Sequence, residues 1–301
     1  MKKILIVDGN NLSWRGLGQA PLTHEGERVE MVYTGLAMLR SYLNKFESDE
    51  CFVVWDYGRD KRRTSVYPEY KKKKRELTKV EKKERESFYK QINNLKYCIE
   101  LLGIPQYACF GREADDLIYN IIKANPNQEY VVVSTDKDMF QLMELSHTVF
   151  IYNPIKKVID NRQTVEERFG IPIKFFAVYK ALMGDKSDNI GGMRGVGPVT
   201  AVKLVEAITD GEKYMELSDK EQRFFRKMAS AKFKEIHGLV KFKGIKDEEI
   251  QEGLKWNPPE SREELNERIM VMCETFGFQK FLDTFESWVA PFEELFRKSK
   301  K

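Results

Sequence analysis

Three apolar runs in this chain each end on an aspartate, and that pattern restricts the fold more than any other feature of the sequence. Lys3-Ile4-Leu5-Ile6-Val7 ends at Asp8, Phe52-Val53-Val54-Trp55 at Asp56, and Tyr130-Val131-Val132-Val133-Ser134-Thr135 at Asp136. Runs without polar alternation suit strands covered by helices on both faces. Helical patterns fall between them, over residues 32–46 and 113–124. The alternation predicts an α/β fold with a mostly parallel, doubly wound sheet flanked by helices. Ligands bind such sheets beyond the carboxyl ends of the strands, where the three aspartates stand.

Two further motifs add carboxylates. Glu113, Asp115 and Asp116 open a helical pattern, and Asp138 follows Asp136 by two residues. Asp185 and Asp188 lie in Met183-Gly184-Asp185-Lys186-Ser187-Asp188-Asn189. Taken singly, each motif also reads as helix-end electrostatics or a turn. Together, nine carboxylates in an order that one sheet can gather predict a strongly negative pocket, which needs cations or protons to be stable. Oxygen donors of this kind suit hard divalent ions, Mg²⁺ with Mn²⁺ as a substitute.

The 301 residues carry a formal net charge of +4, but the charge is uneven. Residues 59–90 hold 14 Lys and Arg against 6 Asp and Glu, an excess of +8, which leaves the remainder at −4. A basic segment beside an acidic pocket suits a polyanionic substrate. From Glu69 onward the propensity is helical and few residues are apolar, so the segment is expected to project from the body. Tyr67, Tyr70, Phe88 and Tyr89 are interleaved with the charge and can stack on unpaired bases; a plain solvated helical face is the alternative. Cys51, Cys98, Cys109 and Cys273 form no CxxC pair, which predicts reduced, packed thiols in a cytoplasmic protein. The N-terminus enters a strand without a signal-peptide pattern, and no apolar run is long enough to span a bilayer.

Near residue 190 the chain becomes glycine-rich. Helical patterns at 173–182 and 199–208 flank Gly195-Val196-Gly197-Pro198, the pattern of a helix-hairpin-helix. Glycines allow close backbone approach to a phosphate, and the N–H groups that open the second helix bind it. Lys203 adds charge one turn later. A simple turn between helices is the competing reading.

In combination, LIVDGNN, VVWD, READD, STDKDMFQL and MGDKSDNIGGMRGVGPVTAVKLV resemble the 5′–3′ exonuclease and flap endonuclease family over about residues 1–210. The family includes phage enzymes and the 5′-nuclease domain of bacterial DNA polymerase I. The resemblance implies a PIN-like nuclease body over 1–170 with a helical arch at about 59–90. It also implies a helical DNA-binding region over 171–301 containing a helix-three-turn-helix at about 173–208. Asp8, Asp56, Glu113, Asp115 and Asp116 match the first metal group, and Asp136, Asp138, Asp185 and Asp188 the second, with Asp185 the closer of the last pair. Lys71, after Tyr70, matches a catalytic arch lysine. The family arginine one turn later has no clean counterpart; Lys74 stands in register with Arg75 beside it, and Lys does not equal Arg on phosphate.

The resemblance further implies two Mg²⁺ ions and K⁺ at the hairpin. It implies a monomer acting on DNA with a 5′ flap or a single-stranded 5′ end, gripped through Tyr70, Lys72, Lys73, Gly195, Gly197 and Lys203. Beyond about residue 215 it thins, and helices there, including one at 262–276, are expected to pack on the duplex-binding half. No polymerase pattern follows, which suggests a free-standing nuclease. A single-strand ribonuclease, a catalytically dead DNA-binding protein and a purely structural protein are the rival readings.

Overall fold

The apolar runs become neighbouring parallel strands because each alternates its side chains between two cores. The computed structural model describes residues 1–17, 20–72, 76, 78–245 and 257–300. The first half runs β1 (Lys3–Asp8), α1 (Gly9–Leu17), β2 (Thr23–His24), β3 (Glu27–Arg28), α2 (Glu30–Phe46) and β4 (Glu50–Tyr57). Next come α3 (Lys61–Val66), α4 (Lys79–Leu101), β5 (Gln106–Phe110), α5 (Ala114–Ala124) and β6 (Glu129–Val133). A 3₁₀ helix (Lys137–Glu144) leads to β7 (Val149–Asn153), β8 (Val158–Asp160) and α6 (Arg162–Phe169). A 3₁₀ turn (Ile173–Phe175) precedes α7 (Phe176–Met183), the hairpin strands β9 (Gly184–Asp185) and β10 (Ile190–Gly191), and α8 (Pro198–Thr209). The chain closes with α9 (Gly211–Met215), α10 (Asp219–Lys227), α11 (Ala231–Val240), α12 (Arg262–Phe276), α13 (Gln279–Leu282) and α14 (Phe285–Ser299).

The main sheet has the order β5-β4-β1-β6-β7-β8, parallel except for β8. Leu5 faces Cys51 on one side and Val131 on the other. Ile4 and Ile6 enter one core, Leu5 and Val7 the other, as the period of two requires. Strand order reverses between β1 and β6, so the crevice at their carboxyl ends is the topological switch point. The four cysteines are free thiols in the interior.

The structure moves several expected boundaries. The helix expected from Glu69 begins at Lys79, because Thr78 and Glu81 form a capping box: Thr78 N donates to Glu81 Oε2 at 2.8 Å and Glu81 N to Thr78 Oγ1 at 3.3 Å. Residues 67–72 form turns instead, with Tyr70 N donating to Tyr67 O and Lys72 N to Glu69 O. Nor does all of α4 project, since Gln91, Ile92, Leu95, Cys98 and Ile99 are buried. Strand β6 ends at Val133 rather than running to Thr135; Ser134 N still donates to Tyr152 O at 3.2 Å, while its hydroxyl serves Asp8. Between α7 and α8 a two-stranded β9–β10 ladder replaces a simple turn.

The C-terminal helices depart furthest from expectation. Helix α12 lies against α4 and α14, and α14 against α2. Leu265, Ile269, Trp288 and Phe292 share the core of the nuclease body with Leu5 and Val7. They therefore back the sheet instead of joining the half expected to bind duplex. The other core runs from Ile4 to Ile245 and takes in Ala181, Leu204 and Leu239.

Candidate active site

Six carboxylates line one cleft of 490 Å³ at the switch point: Asp8, Asp56, Glu113, Asp115, Asp136 and Asp185. Asp8 ends β1, and its oxygens accept from Asn11 N at 3.0 Å and Ser134 Oγ at 2.9 Å. Asp56, on β4, accepts from Ala114 N at 2.7 Å and Asn10 Nδ2 at 2.9 Å. Helix α5 starts next to it, with Glu113 as its N-cap residue. Asp136 caps the following 3₁₀ helix by accepting from Asp138 N at 2.8 Å. Asp185 folds the β9–β10 turn by accepting from Ser187 N at 2.8 Å.

Three cations bridge carboxylates around the cleft. Arg63, 3% exposed, donates to Asp60 at 2.8 Å, Glu113 at 3.0 Å and Asp116 at 2.8 Å. Lys180 Nζ sits 2.7 Å from both Asp138 and Asp185. Lys71 Nζ lies 2.7 Å from Glu113 and 3.8 Å from Asp188. Burial pushes Asp8 up to about 7, with Asp56 and Asp136 adding repulsion. Burial and then Asp136 raise Asp138 to about 6. Burial also raises Asp56, Asp115 and Asp188. At Asp185 burial works in the same direction, but hydrogen bonds from Lys180 and Ser187 outweigh it and bring the group down to about 2. For Lys71 and Lys180, burial favours the neutral amine, yet the facing carboxylates hold both well above the usual lysine range.

Among the described residues no three of these side chains close into a ready ligand cage. The cleft lining presents oxygen donors and neither Cys nor His. A site of raised carboxylate pKa values balanced by lysines fits hard divalent cations, which would replace the ammonium groups as counterions.

The nine carboxylates are not equivalent. Asp138 and Asp188 stand just behind the cleft lining on Lys180, Tyr70 and Lys71. Asp116 is fully buried and saturated: Arg62, Arg63 and the Lys243 amide take its oxygens, so it anchors the site from behind. Tyr70, expected as a base-stacking ring, is 3% exposed. Its hydroxyl donates to Glu113 at 2.8 Å and lies 3.2 Å from Asp188, beneath the cleft. Arg62 and Arg63 likewise turn inward from the basic segment. Lys72 is exposed and pairs with Glu69 at 2.8 Å. Lys73, Lys74 and Arg75 lie outside the described residues.

At the hairpin, Gly195 is left-handed at φ +86, Gly197 is the N-cap of α8 with open space at its Cβ, and Lys203 reaches Glu221 at 3.1 Å. The sequence reading missed Arg63, Lys180, Ser134 and Trp14. Trp14 was findable: it lies six residues beyond Asp8, lines the cleft, and is 61% exposed, packing at a 30° tilt on Phe88 with ring centroids 4.3 Å apart.

Residues 3–170 match the family model for the 5′-3′ exonuclease N-terminal resolvase-like domain. The chain belongs to the 5′–3′ exonuclease family. Within that family it is 30% identical over 265 residues to a 5′-3′ exonuclease of Aquifex aeolicus, covering 86% of this chain and 89% of the relative. It is 32% identical over 226 residues to DNA polymerase I of Bacillus subtilis, covering 72% of this chain and 25% of that protein. The chain spans less than a third of the DNA polymerase I relatives it matches. A bacteriophage T5 flap endonuclease, solved as a pseudo-enzyme–product complex with DNA and metal ions, shares the fold at TM-score 0.66 and 17% identity, with 100% of both chains covered.

Proposed function

We propose that this chain is a Mg²⁺-dependent structure-specific 5′ nuclease that hydrolyses DNA phosphodiesters at 5′ flaps and 5′ ends, serving replication or repair. The observation that carries this reading is the single cleft where six carboxylates meet Lys71 at the foot of the basic segment. Asp8, Asp56, Glu113 and Asp115 would hold one ion, and Asp136, Asp138, Asp185 and Asp188 a second. When bound, divalent ions supply Lewis acidity toward the phosphodiester and lower the pKa of water.

The protein's own groups do the rest. Lys71, its side chain 43% exposed at the cleft, offers a positive charge to the reacting phosphate. Arg63 and Tyr70 keep Glu113 aimed at the cleft. Trp14 presents a flat apolar face on which a terminal base can stack. Gly195, Gly197 and the N–H groups opening α8 would meet duplex phosphates, and the same turn would hold a K⁺. The monomeric chain would feed the free 5′ strand past residues 59–90.

Cleavage of a 5′-flap DNA, a blunt duplex and a single-stranded RNA, each with Mg²⁺ and with chelator, tests the reading. Mg²⁺-dependent cutting near the flap junction, leaving a 5′-phosphate, is the expected result. Preferential cutting of the RNA would favour the ribonuclease reading instead, and flap binding without cutting would indicate a dead enzyme.

A further inference from the structure

The turn of residues 67–72, where Tyr70 and Lys71 leave the chain, is bound to the β9–β10 hairpin rather than to its own neighbours alone. Asn189 Nδ2 donates to Glu69 O at 3.1 Å and to Lys72 O at 3.0 Å. Those two carbonyls bracket Tyr70 and Lys71. Two more bonds cross the same gap, Lys71 N donating to Asp188 O at 3.1 Å and Tyr67 Oη to Asn189 O at 3.1 Å, and Tyr70 Oη lies 3.2 Å from Asp188 Oδ2. Lys71 itself is held left-handed at φ 49, a conformation uncommon for a residue with a side chain. Such a conformation persists only where the surroundings impose it. The same residue turns its Nζ back onto Glu113 at 2.7 Å.

We propose that Asn189 is a positioning residue that fixes the foot of the arch, and through it Lys71, against the hairpin carrying Asp185 and Asp188. The inference rests on the nuclease reading above and deepens it. One amide spanning two carbonyls ties the proposed catalytic lysine and half of the proposed metal group into one unit. Asn189 is also left-handed, at φ 60. A bland role follows from that alone, since Asn tolerates the conformation better than most residues. The two roles separate cleanly. A turn that needs only a left-handed residue accepts glycine without loss, whereas a tether does not.

The test therefore uses Asn189→Gly, which keeps the backbone conformation, adds no charge and deletes both donors. Hydrogen exchange over the peptide containing Lys71, in protein free of metal and DNA, is expected to speed up about tenfold or more. Single-turnover cleavage of a 5′-flap DNA should slow about tenfold from the bound complex, with flap affinity within about twofold of the parent. In a Lys71→Ala background the same change should add little, because both act through one group. Unchanged exchange at Lys71, or a cleavage loss that multiplies fully with that of Lys71→Ala, overturns the proposal. If circular dichroism shows the glycine variant unfolded, Asn189→Asp carries the same comparisons, since it keeps the shape and loses the donors. Failure of the parent protein to cut flaps would instead remove the nuclease reading, and the exchange measurement would still decide the tether.

Discussion

Asp8 shows how a single residue sets a condition on the whole site. Its carboxyl is buried, and burial raises it from the ordinary aspartate range to about 7. A proton is therefore bound more tightly in the folded state than in the unfolded one, so its stabilising effect is complete below about pH 4 and is lost as pH rises through 7. Asp8→Asn should stabilise the metal-free protein at pH 8 by on the order of 2–4 kcal/mol, and hardly at all at pH 4. Urea denaturation at the two pH values checks this, and saturating Mg²⁺ should shrink the gain at pH 8. Arg63 is the opposite case. Burial alone would disfavour its charge, but Asp115, Asp116 and Glu113 hold it firmly protonated. Arg63→Met should cost about 3–5 kcal/mol, because it strands buried carboxylates. A stability loss below about 1 kcal/mol in urea at pH 7.5 would contradict that assignment.

At the scale of elements, the β9–β10 hairpin depends on glycine, whereas the start of α8 does not. A Cβ on Gly192 would stand 2.4 Å from the Met183 carbonyl carbon, and one on Gly184 2.3 Å from Gly192 N. Both contacts are with backbone, which cannot swing away. Gly192→Ala should therefore destabilise the protein and displace Asp185 and Asp188, costing cleavage even at saturating Mg²⁺. At Gly197 nothing lies within 4 Å of the Cβ position. Gly197→Val should leave the melting temperature within about 2 °C of the parent. It should nevertheless weaken binding to every duplex-containing DNA alike, because the added methyls would occupy the space proposed above for a backbone phosphate. Loss on one sequence alone would point to base contacts. The pairing of a melting curve with a binding isotherm tells the two glycines apart.

For the whole molecule, the stretch from Leu239 to Ile245 joins the helical half to the floor of the site. Arg63 Nε donates to Leu239 O, the Gln141 amide bonds Val240 O at 3.0 Å and Phe242 N at 3.2 Å, and Asn120 accepts from Ile245 N at 2.9 Å. With α12 and α14 closing the opposite face, both cores contain residues from both halves of the chain. Heat or urea should then unfold the metal-free protein in one transition, with tryptophan fluorescence and far-ultraviolet circular dichroism coinciding. Gln141→Leu should lower stability by about 1–3 kcal/mol, through the two main-chain groups it leaves buried and unpaired. It should do so without splitting that transition. Two separated transitions would show that the halves are independent.

Much of this protein is decided locally and was readable from its residues. Short β-branched runs closed by an aspartate favour strands buried on both faces, and an aspartate closing each such run lands at the carboxyl edge of a parallel sheet. The carboxylate-bearing cleft thus follows from strand pattern and chain order. The bounds of α12 followed equally well, because Ser261 caps its start and Gly277, left-handed at φ 68, ends it. What the residues alone left open is which charges face each other. Arg63 reads as one cation among many in a basic run, Lys180 as an ordinary helix residue, and Tyr70 as an exposed ring. Only the docking of α3, α7 and residues 67–72 onto the site turns all three inward. Ion pairing and side-chain direction depend on distance in space, and the partners of Arg63 lie up to 176 residues away along the chain. The tertiary structure therefore decided which carboxylates line the cleft, which are tied behind it, and which cations hold them in place.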